Sequence, residues 1–274
     1  MGTSGAYGGS ERAAWSAARS RYDDMVTDPT DDSVPSAAQG IGDALADEDE
    51  ELGSPDDEPT PILDLRLPAV TRRSSRAHGR ASASGAVVGS TYDTGRTGGG
   101  SRRRVARAAQ RGALAIGAAY ALKRGDEATL RELGLDLGEL RNMSVRQQRL
   151  TLLDAILGDA GHPDEVALRQ AADEFLKSVL TDAPPTALDA LRRYVGSLIY
   201  RVGMIELKGQ RLSEQVDAQR CADAEVMLKD WIEQRLGRED FGIRGEIVEL
   251  SQFQRVAIRL VKAGITILKA SVSR

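Results

Sequence analysis

Cysteine, histidine and aromatic side chains are scarce in this chain. Across 274 residues there are one cysteine, two histidines, three phenylalanines and two tryptophans. A single cysteine, Cys221, excludes an intrachain disulfide and fits a reducing compartment. Together with His78 and His162 it makes no zinc ligand set at any recognised spacing. There is no P-loop, no HExxH and no dinucleotide fingerprint, and the glycine run Gly98-Gly99-Gly100 follows no strand. No metal and no cofactor is expected, and the chain does not read as an enzyme. Long apolar runs are missing too. The longest, Gly112 to Leu122, has 11 residues, about half of a membrane-spanning helix. The first residues lack the apolar stretch of a secretory signal. The expectation is a cytoplasmic protein with no membrane partner.

What is present is unevenly distributed. Residues 1–100 hold 14 of the 28 glycines, 6 of the 9 prolines and only 12 Leu, Ile, Val or Phe, whereas residues 101–274 hold 49 of these four types. A stretch with so few core-forming side chains does not offset its conformational entropy. The composition therefore predicts an all-α helical domain over 101–274, preceded by a long, largely disordered N-terminal region. Within that region, 1–26 reads as a flexible tail with a short helix, and 27–100 as a disordered linker, first acidic, then rich in Arg, Gly and Ser. The helix of 11–26 rests on Trp15, Ala18, Tyr22 and Met25 at helical spacing. It is either transient or ordered on a partner. Ile62 to Leu67 alternates Leu63, Leu65 and Leu67 between two prolines. That pattern fits a strand added to another protein's sheet edge, or an isolated apolar segment of the linker.

Charge is segregated as well. The net charge of −4 hides 16 acidic against 3 basic residues over 1–64, then 11 arginines against the single acid Asp93 over 65–111. Like-charge blocks are usually solvated interaction tails. Arginines of the second block, Arg102, Arg103 and Arg104 foremost, are candidate nucleic-acid contacts through phosphate.

From Ser101 the periodicity is helical. The pattern predicts helices over about 102–123, 127–133, from the N-cap Ser144 to Leu157, and from Pro163 to about Leu180. After Pro184-Pro185 comes the clearest one. Leu188, Leu191, Val195, Leu198, Val202 and Ile205 alternate steps of three and four, a heptad-like seam for another helix. A helix over about 213–236 is expected to stop at Gly237, with Cys221 as an inert buried thiol. The last runs over about 245–270. Its Arg255, Arg259, Lys262 and Lys269 share one face, which reads as the wet side of a bundle helix or as a membrane-surface helix. The acidic pairs Asp164/Glu165, Asp173/Glu174 and Glu239/Asp240 have cations close by and read as solvated faces. His162, before Pro163, reads as a turn residue.

The start of the chain carries the most specific signal. A small second residue favours removal of Met1, leaving Gly2 as an unhindered primary amine. With a pKa of about 7.7–8.0 such an amine keeps a neutral, nucleophilic fraction near pH 7, unlike lysine at about 10.4. Myristoylation prefers Ser or Thr where Ala6 stands.

Met1-Gly2-Thr3-Ser4, with Ala6-Tyr7-Gly8-Gly9-Ser10, resembles the opening of QatB proteins of the QatABCD antiphage defence cluster. The likeness extends to the layout and to the helix opening GSRRRVARAAQRGALAIGAAYALKRGD at 100–126. The chain departs from it where Glu11 to Arg21 replaces a proline-rich run.

The resemblance implies a non-catalytic component whose companions are an ATPase, a QueC-like protein and a TatD-like nuclease. It implies that Gly2 enters the QueC-like partner and accepts a deazaguanine in amide linkage. Thr3, Ser4, Tyr7, Gly8 and Gly9 would contact that partner, and the helical domain would dock it. The alternatives are a nucleic-acid-binding accessory using Arg66 to Arg111, and a helical structural protein whose tail is a spacer.

Overall fold

The computed structural model describes residues 13–50, 101–160, 163–208, 218–243 and 245–271; of 47–50, 101–103, 163–164 and 208 it describes the backbone alone. The described residues form helices and no strand, in the order α1 (Ala13–Thr27), α2 (Ser33–Glu50), α3 (Ser101–Arg124), α4 (Glu127–Glu132), α5 (Leu137–Arg141), α6 (Val145–Leu157), α7 (Pro163–Val179), α8 (Ala187–Lys208), α9 (Ala218–Arg238) and α10 (Leu250–Lys269).

Helix α3 is the axis. Every residue from Ala109 to Leu122 is buried, so this run has no wet side. It is walled by α10, α7, α6, α8 and α2. Small residues make this possible. Any side chain at Gly112 would overlap the Tyr194 hydroxyl. The bare backbone instead lets the ring of Tyr194 lie against α3 and its hydroxyl donate to the Ala108 carbonyl at 3.0 Å. Burial holds the Tyr194 phenol well above its usual range. Arg111, also buried, donates to the Leu157 carbonyl at 2.8 Å and so caps the negative end of α6. At the far end, Tyr120 donates to Pro185 O at 2.6 Å, Lys123 to Thr181 O and Arg124 to Val248 O, tying two loops to the axis.

The local signals work where they were expected. Ser144 caps α6 in a reciprocal box with Gln147, and Pro163 opens α7. Several boundaries differ. The short helix α5, capped by Asp136, was not foreseen. Gly237 lies inside α9, which continues to Arg238. α10 starts at Leu250 because Glu249 and Gln252 form a capping box there, with Gly242 and Gly245 at positive φ before it. The seam of α8 is wider than a heptad stripe: residues 194–200 are all buried, while Leu188 and Ile205 at its ends are only half so. α10 is a bundle helix with its charged side in water, as one of the two readings had it, and not a membrane-surface helix. Its apolar face (Phe253, Ala257, Val261, Leu268) lies in the core, and exposure is confined to one stripe.

The main correction concerns the first fifty residues. α1 is neither a tail nor partner-dependent: Trp15, Ala18, Tyr22, Met25 and Val26 are buried. Part of the expected acidic linker, residues 33–46, is a packed helix with Ala37, Ala38, Ile41, Ala44 and Leu45 in the core. α1 and α2 form a hairpin, with Ala18 against Gly40 and Arg21 paired to Asp43 at 3.0 Å. α2 then lies on α10, where Gly42 brings its backbone against Leu268 and Lys269.

Two outcomes follow. Gly112→Ala should cost about 2–3 kcal/mol in chemical denaturation, because the methyl displaces Tyr194 and breaks its bond to Ala108. Trp15→Ala should loosen α1 from the bundle and speed tryptic cleavage at Arg19 and Arg21, leaving the cleavage rate at Arg192 and Arg201 in α8 nearly unchanged.

Candidate functional site

The residues with the most specific sequence signal, Gly2, Thr3, Ser4, Tyr7, Gly8 and Gly9, lie outside the described residues, as do Ile62–Leu67, His78 and His162. What the structure describes is their root. Description begins at Ala13, and two residues on Trp15 is fixed in the core at 3% exposure. Ala18 lies on Gly40, and the next residues of α2 touch the far ends of two other helices: Ile41 meets Gly203 of α8, and Gly42 meets Leu268 of α10. Near there α3 begins, with Arg104 paired to Glu206 of α8 at 3.3 Å. The start of α3, the middle of α2 and the ends of α8 and α10 therefore gather at one end of the bundle, and α1 joins it through Ala18 on Gly40.

The arginine block divides. Arg102, Arg103 and Arg104 occupy the first turn of α3, where no acidic residue balances the positive helix end. Arg104 and Arg107 are exposed. Arg111 is inside the protein, so it leaves the candidate nucleic-acid contacts. Arg66 to Arg96 lie outside the described residues.

The remaining polar clusters hold helices together. Asp173 and Glu174, expected on a solvated face, are half-buried bridges. Asp173 takes Arg149 of α6 at 2.5 Å and Lys177 at 3.3 Å. Glu174 of α7 accepts from Lys229 of α9 at 2.6 Å and from Arg201 of α8 at 3.2 Å, with Ser197 at 3.4 Å. Burial pushes the Glu174 carboxyl up, but hydrogen bonds and charge from Lys229 and Arg201 outweigh it and hold it below its ordinary value. The neighbouring Glu233 is raised by burial more than Lys229 lowers it. Nothing in the sequence pattern gave this bridge, since its members are 27 and 55 residues apart. Asp173/Glu174 with cations nearby was the one available hint.

A cleft of about 320 Å³ opens between α8 and α9, lined by Asp189, Arg192, Arg193, Asp230, Glu233 and Arg238 among others. It offers charges of both signs, and Arg192 stacks on Phe241. Cys221 is half-buried rather than buried, near Tyr22 of α1. Among the described residues no His, Cys, Asp or Glu group converges as metal ligands do, and no helix is long and apolar enough to cross a membrane.

The Glu174 bridge has a pH signature. A carboxylate depressed in the folded state stabilises above its unfolded pKa, and that contribution is lost as pH falls through the folded value. Wild type should exceed Glu174→Gln in stability at pH 7, and the gap should narrow as pH falls below the ordinary carboxylate range in urea titrations.

No curated protein and no solved structure matches the chain. A family model described as Qat anti-phage system associated protein QatB matches residues 98–254. That match runs from just before α3 into the first turn of α10, over the walled axis and the bridged helices α7, α8 and α9, and covers more than half of the sequence. On that extent, the chain belongs to the QatB family and is a component of an anti-phage Qat system.

Proposed function

We propose that this QatB-family chain is the presented, non-catalytic component of its defence system, and that Gly2, once Met1 is removed, is an amine acceptor. In this reading a QueC-like partner receives the leader and activates the carboxyl group of a deazaguanine. The neutral amine of Gly2 attacks the activated carbon, the activating group departs, and the nitrogen gives up a proton as the amide forms. Thr3 and Ser4 hydrogen-bond along the partner's channel, Tyr7 packs at its mouth, and Gly8 and Gly9 allow close approach. The helical bundle is the docking body. An ATPase and a TatD-like nuclease are further partners of the same reading.

The observation that carries this reading, besides family membership, is the rooting of α1. Trp15, Tyr22 and Met25 are in the core, so any reach of Gly2 is measured from a fixed point at Ala13. The eleven-residue step between them spans at most about 40 Å. That is enough to enter a neighbouring enzyme and too short to reach one held elsewhere. A rigid root with a small-residue leader suits delivery of one terminus to one pocket, since the cost of ordering falls on few residues.

Intact-mass measurement after co-expression with a QueC-like protein from the same gene cluster tests this. The expected result is an adduct on the N-terminal peptide of wild type and none on Gly2→Pro, which lacks a primary amine. A wild-type mass that stays unmodified, with Met1 removed and the partner active, overturns it.

A further inference from the structure

The two helices packed along the centre of the bundle carry cations and no carboxylate. α3 has seven basic residues and no acid, and α10 has four and no acid, in a chain of net charge −4. Most of α3 is buried. On α10, however, every basic residue lies on the one stripe left open. Arg255, Arg259 and Lys269 are exposed, Lys262 half so, with Thr266 exposed between them. Steps of four, three, four and three residues keep these five on one line about 21 Å long.

Several cations elsewhere in the bundle meet carboxylates. Arg149 meets Asp173, Arg169 meets Asp154, Arg201 meets Glu174, and Arg235 meets Glu239. Arg255, Arg259 and Lys269 have no such partner among the described residues.

We propose that the open stripe of α10 is a contact for the phosphate backbone of nucleic acid, read without regard to base sequence. Three features select this occupant. The line is straight and rigid, and its cations stand at intervals of about 6, 4.5 and 10.5 Å, so one strand's phosphates can meet them in sequence. Its middle carries no exposed apolar or aromatic side chain. Ala263 and Ile267 at its edge are half-buried, so the stripe lacks the apolar anchors of a protein interface. It also lacks exposed Asn, Gln or aromatic groups that would read or stack on bases. A membrane surface fits less well, because the apolar face that would insert is in the core. The stripe differs from Arg102–Arg104 and does not depend on the fate of Gly2.

Fluorescence anisotropy of the full chain with a labelled duplex of mixed sequence tests this. Four cations predict a slope of log affinity against log salt of about −3 to −4. Arg255→Gln, Arg259→Gln and Lys269→Gln together should weaken binding and flatten the slope by nearly 3, with an unchanged melting temperature because all three are exposed. Arg255→Lys with Arg259→Lys should keep binding, since point charges suffice. Absence of binding at low salt overturns the proposal. So does equal binding by the triple variant, or loss of binding only when Arg102, Arg103 and Arg104 are replaced. Polyglutamate displacing the duplex at equal charge concentration would assign the stripe to an acidic protein instead, and anionic vesicles doing so would assign it to a membrane.

Discussion

The absence of a side chain at Gly112 is the constraint on which the bundle depends. It allows Tyr194 to pack its ring on α3 and donate to the Ala108 carbonyl. α8 is thereby drawn close enough that residues 194–200 are buried without a break. Over 112–119 α3 is a narrow cylinder of Ala, Gly, Leu and Ile, and the whole run from 109 to 122 has no side turned toward water. Such a helix is stable only when neighbours cover its whole circumference. Five helices do so here.

This requirement explains why the amino-terminal hairpin belongs to the core. α10 and α2 both lie on α3, and α2 in turn lies on α10. The region matched by the family model ends at residue 254, so two walls of the axis, α2 and most of α10, come from outside it. The arrangement also fixes the origin of the leader. α1 grips the bundle through one tryptophan, one tyrosine and one methionine, and Ala18 holds it to Gly40 of α2.

The contrast between α2 and α10 shows what a composition reading detects. α2 has Pro35, two glycines, an acidic end and few large apolar residues, so by hydrophobic content it resembles a linker. It packs nonetheless, because Ala37, Ala38, Ala44 and the glycines let its backbone approach closely. Close approach gains contact from many small atoms rather than from a few large ones. α10 was legible as amphipathic but not as nearly engulfed, since a one-dimensional pattern gives a face and not the number of neighbours around it. The Glu174 bridge was illegible for a similar reason: three helices must first be brought together before Arg201 and Lys229 can depress one carboxyl.

By itself the sequence determined the all-α class, the caps at Ser144 and Pro163, the segregation of charge, and the family through the region opening near residue 98. These depend on local spacing and composition, which one chain carries whole. Only the tertiary structure decided which small-residue segments are core, which arginines point inward as Arg111 does, and which cations of α10 stay open. Those outcomes depend on the proximity of residues far apart in the chain. Burial and pairing belong to neighbourhoods, and a neighbourhood exists only after the helices have packed.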